Sequence, residues 1–370
     1  MLSPAMKYSL LALILHSTAL SASPVSQKCI PEALSYTPTA TDTAMSSMSA
    51  VVSVTPNILS TAPEAAKTSV VSSVVSAIAS VVISDVVPSV MELVNSDTTN
   101  TADTNNIPSG AQKEVSAQGQ DVLALFAAYS GAAYTVTDSW DCPYACQYPG
   151  TEDTIIEHHW DVGFPPSAGY ISRNPSGRFL VIAFQGTGEM SQWADNINIA
   201  QAPWPAEIPE SRVHSGFLRG YTSVQDQVMS NLKSLANQYP DYSIVIVGHS
   251  LGGARAALCL LDLSVKMPEL LSRTYLYTQG QPRTGNKQFA DAIDALSVPT
   301  YRGVYEYDMA TRLPLTTMGY HHHSTEAWYH SNDTLLCIQP NADDSCADNG
   351  DFLHPLSIHD HFGYPGLKYE

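Results

Sequence analysis

The segment IVIVGHSLGGARAAL, Ile244 to Leu258, concentrates the residue types that do nucleophilic chemistry. Gly248-His249-Ser250-Leu251-Gly252 fits the G-x-S-x-G pattern, with a β-branched run before it and a small-residue helical pattern after it. In that setting the two glycines permit a strained strand-to-helix turn that exposes the serine hydroxyl, and the helix N-terminus favours developing negative charge. The chemistry would be acyl transfer. A serine in an ordinary tight turn gives the same pentapeptide, so the flanking pattern carries more weight than the motif.

A serine hydroxyl needs a base to take its proton, and the base needs an orienting carboxylate. On this type of turn the partners follow in the order Ser, acid, His. Asp308 lies just after the strand-like TYRGVYEY and before a turn, with Glu306 as its nearest rival. Asp291 and Asp294 belong to the helical stretch QFADAIDAL and read as solvated. For the base, His321, His322, His323, His330, His354, His359 and His361 all qualify, and spacing alone does not separate His359 from His361. Consecutive histidines cannot converge on one ion and no carboxylate or Cys cluster flanks them, so no metal site is expected.

The elements that must position these groups alternate. RFLVIAFQG, YSIVIVG, TYLYTQG and TYRGVYEYD read as strands; QKEVSAQGQDVLALFAAYSGAAY, YTSVQDQVMSNLKSLANQY and GGARAALCLLDLSVK read as helices. Alternation of this kind implies an α/β fold with a mostly parallel central sheet and helices on both faces.

Composition divides the chain. All five Trp and all eight Phe fall after residue 112, so the packed core is C-terminal. Residues 1–21 carry a lone Lys7, an apolar stretch and then small residues, the pattern of a secretory signal peptide. Residues 22–112 are rich in Ser, Thr, Ala and Val and read as a prosegment, with a mucin-like stalk as the competing reading; 113–370 form the folded domain. The Val70 to Val94 stretch is broken by serines, Asp85 and Pro88, and no stable transmembrane segment is expected. A net charge of −18 without a basic cluster argues against nucleic-acid binding. In a secreted chain, Cys142/Cys146 and Cys337/Cys346 are expected to be bridged and Cys259 to be a buried free thiol. Cys29 has no evident partner.

Several blocks extend the motif: SWDCPYACQYPGTED, FQGTGEMSQW, VHSGFLRGY, GHSLGGARAALCLLDL, YTQGQPRTGN and DHFGYPG. From about residue 113 to 366 the sequence resembles the class 3 triacylglycerol lipases of filamentous fungi. The resemblance implies an α/β-hydrolase fold with a helical lid and a secreted serine esterase acting on triacylglycerols at lipid–water interfaces, without cofactor and as a monomer. It matches Ser250 to the nucleophile and Asp308 to the triad acid. DHFGYPG fits the family ending D-H-x-x-[YF]-x-[GD] with His361 as base, and His322 matches a non-catalytic histidine. AFQGT puts Thr187 at the oxyanion position, with Leu251 giving the second N–H, and GEMSQWADNINIAQAPW matches the lid, with Trp193 as a lid tryptophan.

This chain departs from the family in places. Gln185 stands where the family usually has Arg, DMAT replaces the usual D-I-V-P, and Tyr134 takes what is read as the first position of a missing disulfide. The competing functions are a feruloyl esterase or phospholipase-like esterase, and a catalytically silent secreted surface protein.

Overall fold

A computed structural model describes residues 112–187, 199–330, 333–337, 347 and 356–368. Eleven strands are present among them: β1 (Gln112–Glu114), β2 (Ile155–Gly163), β3 (Pro166–Asn174), β4 (Phe179–Phe184), β5 (Gln201–Pro203), β6 (Arg212–His214), β7 (Ser243–His249), β8 (Thr274–Gln279), β9 (Thr300–Tyr305), β10 (Glu326–His330) and β11 (Asp333–Cys337). The helices are α1 (Ala117–Ala132), α2 (Ser215–Thr222), α3 (Gln225–Gln238), α4 (Leu251–Lys266) and α5 (Lys287–Asp294).

Nine strands form one sheet in the order β1-β11-β10-β9-β8-β7-β4-β3-β2, and β5 pairs with β6 separately. The centre, from β4 through β7, β8 and β9 to β10, is parallel, as expected from the strand–helix alternation. The edges are antiparallel, which the sequence pattern did not foresee. At one edge the reason is chain length: only Phe164 and Pro165 join β2 to β3, and a link that short closes a hairpin, whereas a parallel pair needs a long crossover.

The central strands are buried on both faces because their side chains alternate between two cores. Val181, Ala183, Val245, Val247 and Tyr277 meet α1, where Phe126 stacks on Tyr277 at 4.6 Å between centroids. Leu180, Ile182, Phe184, Ile244, Ile246 and Leu276 meet residues of α2, α3, α4 and α5. Helices therefore cover both faces, the α/β-hydrolase arrangement. Ser116 caps α1 by accepting from Gly119 N at 3.2 Å, and Asn286 caps α5 by accepting from Phe289 N at 3.1 Å.

Cys142 and Cys146 form a disulfide, and Cys259 is a buried free thiol, both as expected. Cys337 is disulfide-bonded; Cys346, its expected partner, lies outside the described residues. So do Cys29 and Trp193. Among the described residues no helix is long and apolar enough to cross a membrane.

Candidate active site

The turn between β7 and α4 is built by its glycines. A Cβ on Gly248 would stand 2.3 Å from the carbonyl carbon and oxygen of Gly252, and one on Gly252 would stand 2.0 Å from the carbonyl oxygen of Phe184. Any side chain there would force the helix off the strands. Ser250, between them, has φ 60° and ψ −131°, a region that non-glycine residues enter only when their surroundings hold them. It is the N-cap residue of α4, yet its side chain makes no capping bond, unlike Ser116 and Asn286. Its main-chain N–H donates to Gln279 O at 2.8 Å and ties the turn to the end of β8.

Asp308 and His361 meet across 53 residues of sequence. His361 Nδ1 lies 2.9 Å from both carboxylate oxygens of Asp308, and both side chains are fully buried. Asp308 also accepts from Ala310 N (2.8 Å, at Oδ1) and from the Tyr364 hydroxyl (2.6 Å, at Oδ2). Burial first, and Asp308 second, push the Tyr364 phenol far above its ordinary range, so it stays a neutral donor. An acceptor-only carboxylate requires the proton of neutral His361 to sit on Nδ1. Its Nε2 is buried and makes no hydrogen bond with any described residue, leaving a lone pair for an incoming proton.

The rival residues are engaged elsewhere. β9 ends at Tyr305, Glu306 turns with φ 41°, and its carboxylate meets His330 Nδ1 at 2.8 Å instead of His361. His359 has a 98% exposed side chain, 4.0 Å from Asp360. The histidine triplet does not converge: His322 Nε2 donates to Thr311 O at 2.7 Å and His323 Nδ1 to Ser324 O at 2.7 Å. Asp291 is tied to Lys287 on the surface, and Asp294 accepts from Ser324 N at 2.8 Å.

His249 joins the turn to His361. Its ring packs on that of His361 at 4.4 Å between centroids, and its Nε2 donates to the His361 carbonyl at 2.8 Å. With that proton on Nε2, Nδ1 accepts from the Tyr134 hydroxyl at 2.8 Å. Burial, then the neighbouring His361, hold His249 well below the ordinary histidine range, so it is neutral. Tyr134, read from sequence only as a lost disulfide position, is thus part of the site.

The end of β4 closes the other side. A Cβ on Gly186 would stand 3.1 Å from Ser250 Cβ and 2.7 Å from His249 O, so the segment Gly186-Thr187 lies against the turn. Thr187 follows it half-buried, and Leu251 opens α4. Residues 188–198, which include Trp193 and most of the expected lid, lie outside the described residues.

Residues 181–318 match the family model described as Lipase (class 3). The lipase of Rhizomucor miehei is 30% identical over 265 residues, covering 70% of this chain and 72% of that protein. The secreted mono- and diacylglycerol lipase A of Penicillium cyclopium is 29% identical over 228 residues, covering 58% of this chain and 72% of its own. Among solved structures, a triacylglycerol lipase whose catalytic centre is described as a serine protease triad matches with a TM-score of 0.65 at 30% identity, covering 70% of this chain and 99% of that one.

Proposed function

Because the chain belongs to the class 3 lipase family, we propose that it is a secreted lipase hydrolysing triacylglycerols at a lipid–water interface, with Ser250, His361 and Asp308 as its triad. The Ser250 Oγ–H would attack the ester carbonyl as its proton passes to His361 Nε2. Asp308 holds the resulting imidazolium, and the N–H groups of Thr187 and Leu251 receive the oxyanion. Collapse breaks the ester C–O bond, His361 returns the proton to the leaving alcohol, and water then hydrolyses the acyl-enzyme by the same route.

The observation that supports this most is the buried Asp308–His361 pair, in which His361 Nε2 bonds no described residue, beside a turn that holds Ser250 at positive φ. In the same reading 1–21 is removed on export, 22–112 is a prosegment masking the enzyme until cleavage, and residues after Thr187 form a lid that opens at the lipid surface.

Hydrolysis of emulsified triolein, tributyrin, diolein and methyl ferulate, with Ser250→Ala as control, tests the reading. Activity on triolein that vanishes in Ser250→Ala supports it. Preference for diolein moves the substrate to partial glycerides, and preference for methyl ferulate overturns the lipid assignment. Ester hydrolysis unaffected by Ser250→Ala overturns the nucleophile.

A further inference from the structure

Among the described residues, the buried cation Arg255 meets no carboxylate. Arg255 sits on α4, five residues after Ser250, and is only 4% exposed. No carboxylate among the described residues bonds it. Its Nη2 donates to Pro166 O at 2.7 Å and its Nη1 to Gln185 O at 3.4 Å, while Nε is buried without a hydrogen-bond partner. Burial pulls the guanidinium down to about 10, still protonated at neutral pH. Burying an unpaired charge is costly, and a structural peg between two carbonyls would not require one.

The room for this charge is made by Gly220 of α2, where a Cβ would stand 2.6 Å from Nη2, 2.8 Å from Nε and 2.9 Å from Cζ. The carbonyl it holds belongs to the residue before Gly186-Thr187. Gln185 brings no charge of its own to this strand end; Arg255 brings one from the helix.

We propose that Arg255 is a positioning residue of the oxyanion site: its guanidinium holds the Gln185 carbonyl, fixing the Gly186-Thr187 segment against Ser250, and its charge, which no described carboxylate offsets, favours the negative charge that develops on the ester oxygen. The proposal rests on the reading that Ser250 attacks an ester and that Thr187 receives the oxyanion. Thr187 lies two residues from the held carbonyl, at most about 7 Å along the chain. A unit charge at about 10 Å in a medium of effective dielectric near 20 changes an equilibrium by the order of ten-fold.

The test compares the parent enzyme with Arg255→Met, Arg255→Lys and Gly220→Ala on a soluble ester, p-nitrophenyl butyrate, so that interface binding does not enter. Loss of a group that acts only in the transition state lowers kcat and leaves KM in place. Arg255→Met is expected to lose about 10- to 100-fold in kcat with KM within about two-fold. Arg255→Lys, keeping the charge but not the two-pronged hold, should fall between Met and parent. Gly220→Ala, which displaces the guanidinium without removing it, should lower kcat in the same way.

Inhibition by a trifluoromethyl ketone, which forms an oxyanion on the attacking serine, should weaken by the factor that kcat loses. A folded Arg255→Met with kcat within two-fold of the parent overturns the proposal. So does a loss that Arg255→Lys shares in full and that falls on KM. If Arg255→Met does not fold, unchanged kcat in folded Gly220→Ala overturns it. Ser250→Ala separates the two levels: if the parent's ester hydrolysis survives that change, the nucleophile reading fails; if it does not and the Arg255 variants match the parent, only this inference fails.

Discussion

The hydroxyl of Tyr364 lies 2.6 Å from Asp308 Oδ2, three residues after the histidine that the same carboxylate orients. One short segment therefore supplies both the proposed base, His361, and a donor that steadies its partner. Tyr364→Phe removes that donor and leaves a buried carboxylate short of one hydrogen bond. A bond to a charged group contributes about 1.5–3 kcal/mol, so urea denaturation should show a loss of that order. Because the carboxylate still accepts from Ala310 N, kcat/KM should fall by no more than about ten-fold. A variant as stable as the parent would show that Tyr364 is not needed to satisfy Asp308.

Asp308→Asn should be far more severe. The amide would present a donor to one side and lose the charge that holds the imidazolium; in a serine hydrolase of another fold this change costs about 10⁴ in kcat. Stopped assays on p-nitrophenyl butyrate against Ser250→Ala as background measure the loss. A decrease smaller than ten-fold would remove Asp308 from the triad.

The turn at Ser250 was legible in sequence because its causes are local: glycines two residues to either side, a β-branched strand before and a small-residue helix after. His361 was not separable from His359 by spacing, because they differ in exposure, 0% against 98% of the side chain, and only the folded chain sets that. Family resemblance points to His361, the one of the two that meets Asp308 in the folded chain. Tyr134 and His249 touch across 115 residues and His249 and His361 across 112, so no local pattern could show that chain of bonds. Arg255 reads as an ordinary helical residue until α2 and the β2–β3 hairpin are packed around it. The antiparallel edge formed by β1 and β11 was missed for a related reason: the two strands are short and far apart in sequence.

The Tyr134–His249–His361 chain predicts a split between two variants. His249→Leu removes the donor to the His361 carbonyl and should lower kcat about ten-fold while KM changes little, since the base is displaced and not the binding surface. His249→Gln keeps an N–H in reach and should retain more activity. Equal losses in both would mean that His249 serves only to fill space.

Acid should destabilise the fold in a defined window. His249, His322 and His323 are buried and neutral; burial lowers all three, aided by His361 for the first, by Arg302 and Arg283 for the second, and by Arg302 for the third, which is pushed down to about 3. A histidine depressed in the folded state gives stability that is complete above its unfolded value near 6.5 and is lost as pH falls toward the folded value, because only the unfolded chain takes up the proton. Between pH 6.5 and 5, where ordinary carboxylates stay charged, urea midpoints should drop. His323→Gln should flatten that slope by up to about 1.4 kcal/mol per pH unit, the contribution of one proton. An unchanged slope would mean that His323 is protonated in the native state.

The loops carrying the proposed acid and base, Asp308 and His361, are laced together, and the lacing should matter more for rate than for stability. Ser357 N donates to Tyr307 O at 3.0 Å, Met309 N donates to Ser357 O at 3.2 Å, and Asp360 Oδ2 accepts from Tyr307 N at 3.1 Å. Asp308 and His361 are each adjacent in sequence to a residue of this lacing, so its geometry is passed directly to their 2.9 Å contact. Asp360→Ala removes that acceptor from Tyr307 N and loosens the join that the two backbone bonds then hold alone, whereas Asp360→Asn keeps an acceptor oxygen in place. Misplacement of reacting groups by about 1 Å can cost about 100-fold in rate. Asp360→Ala should therefore lose between about ten- and 100-fold in kcat at unchanged KM, and Asp360→Asn should recover most of it. Were Asp360→Asn as slow as Asp360→Ala, the negative charge beside His361, and not the hydrogen bond to Tyr307, would be what this carboxylate supplies.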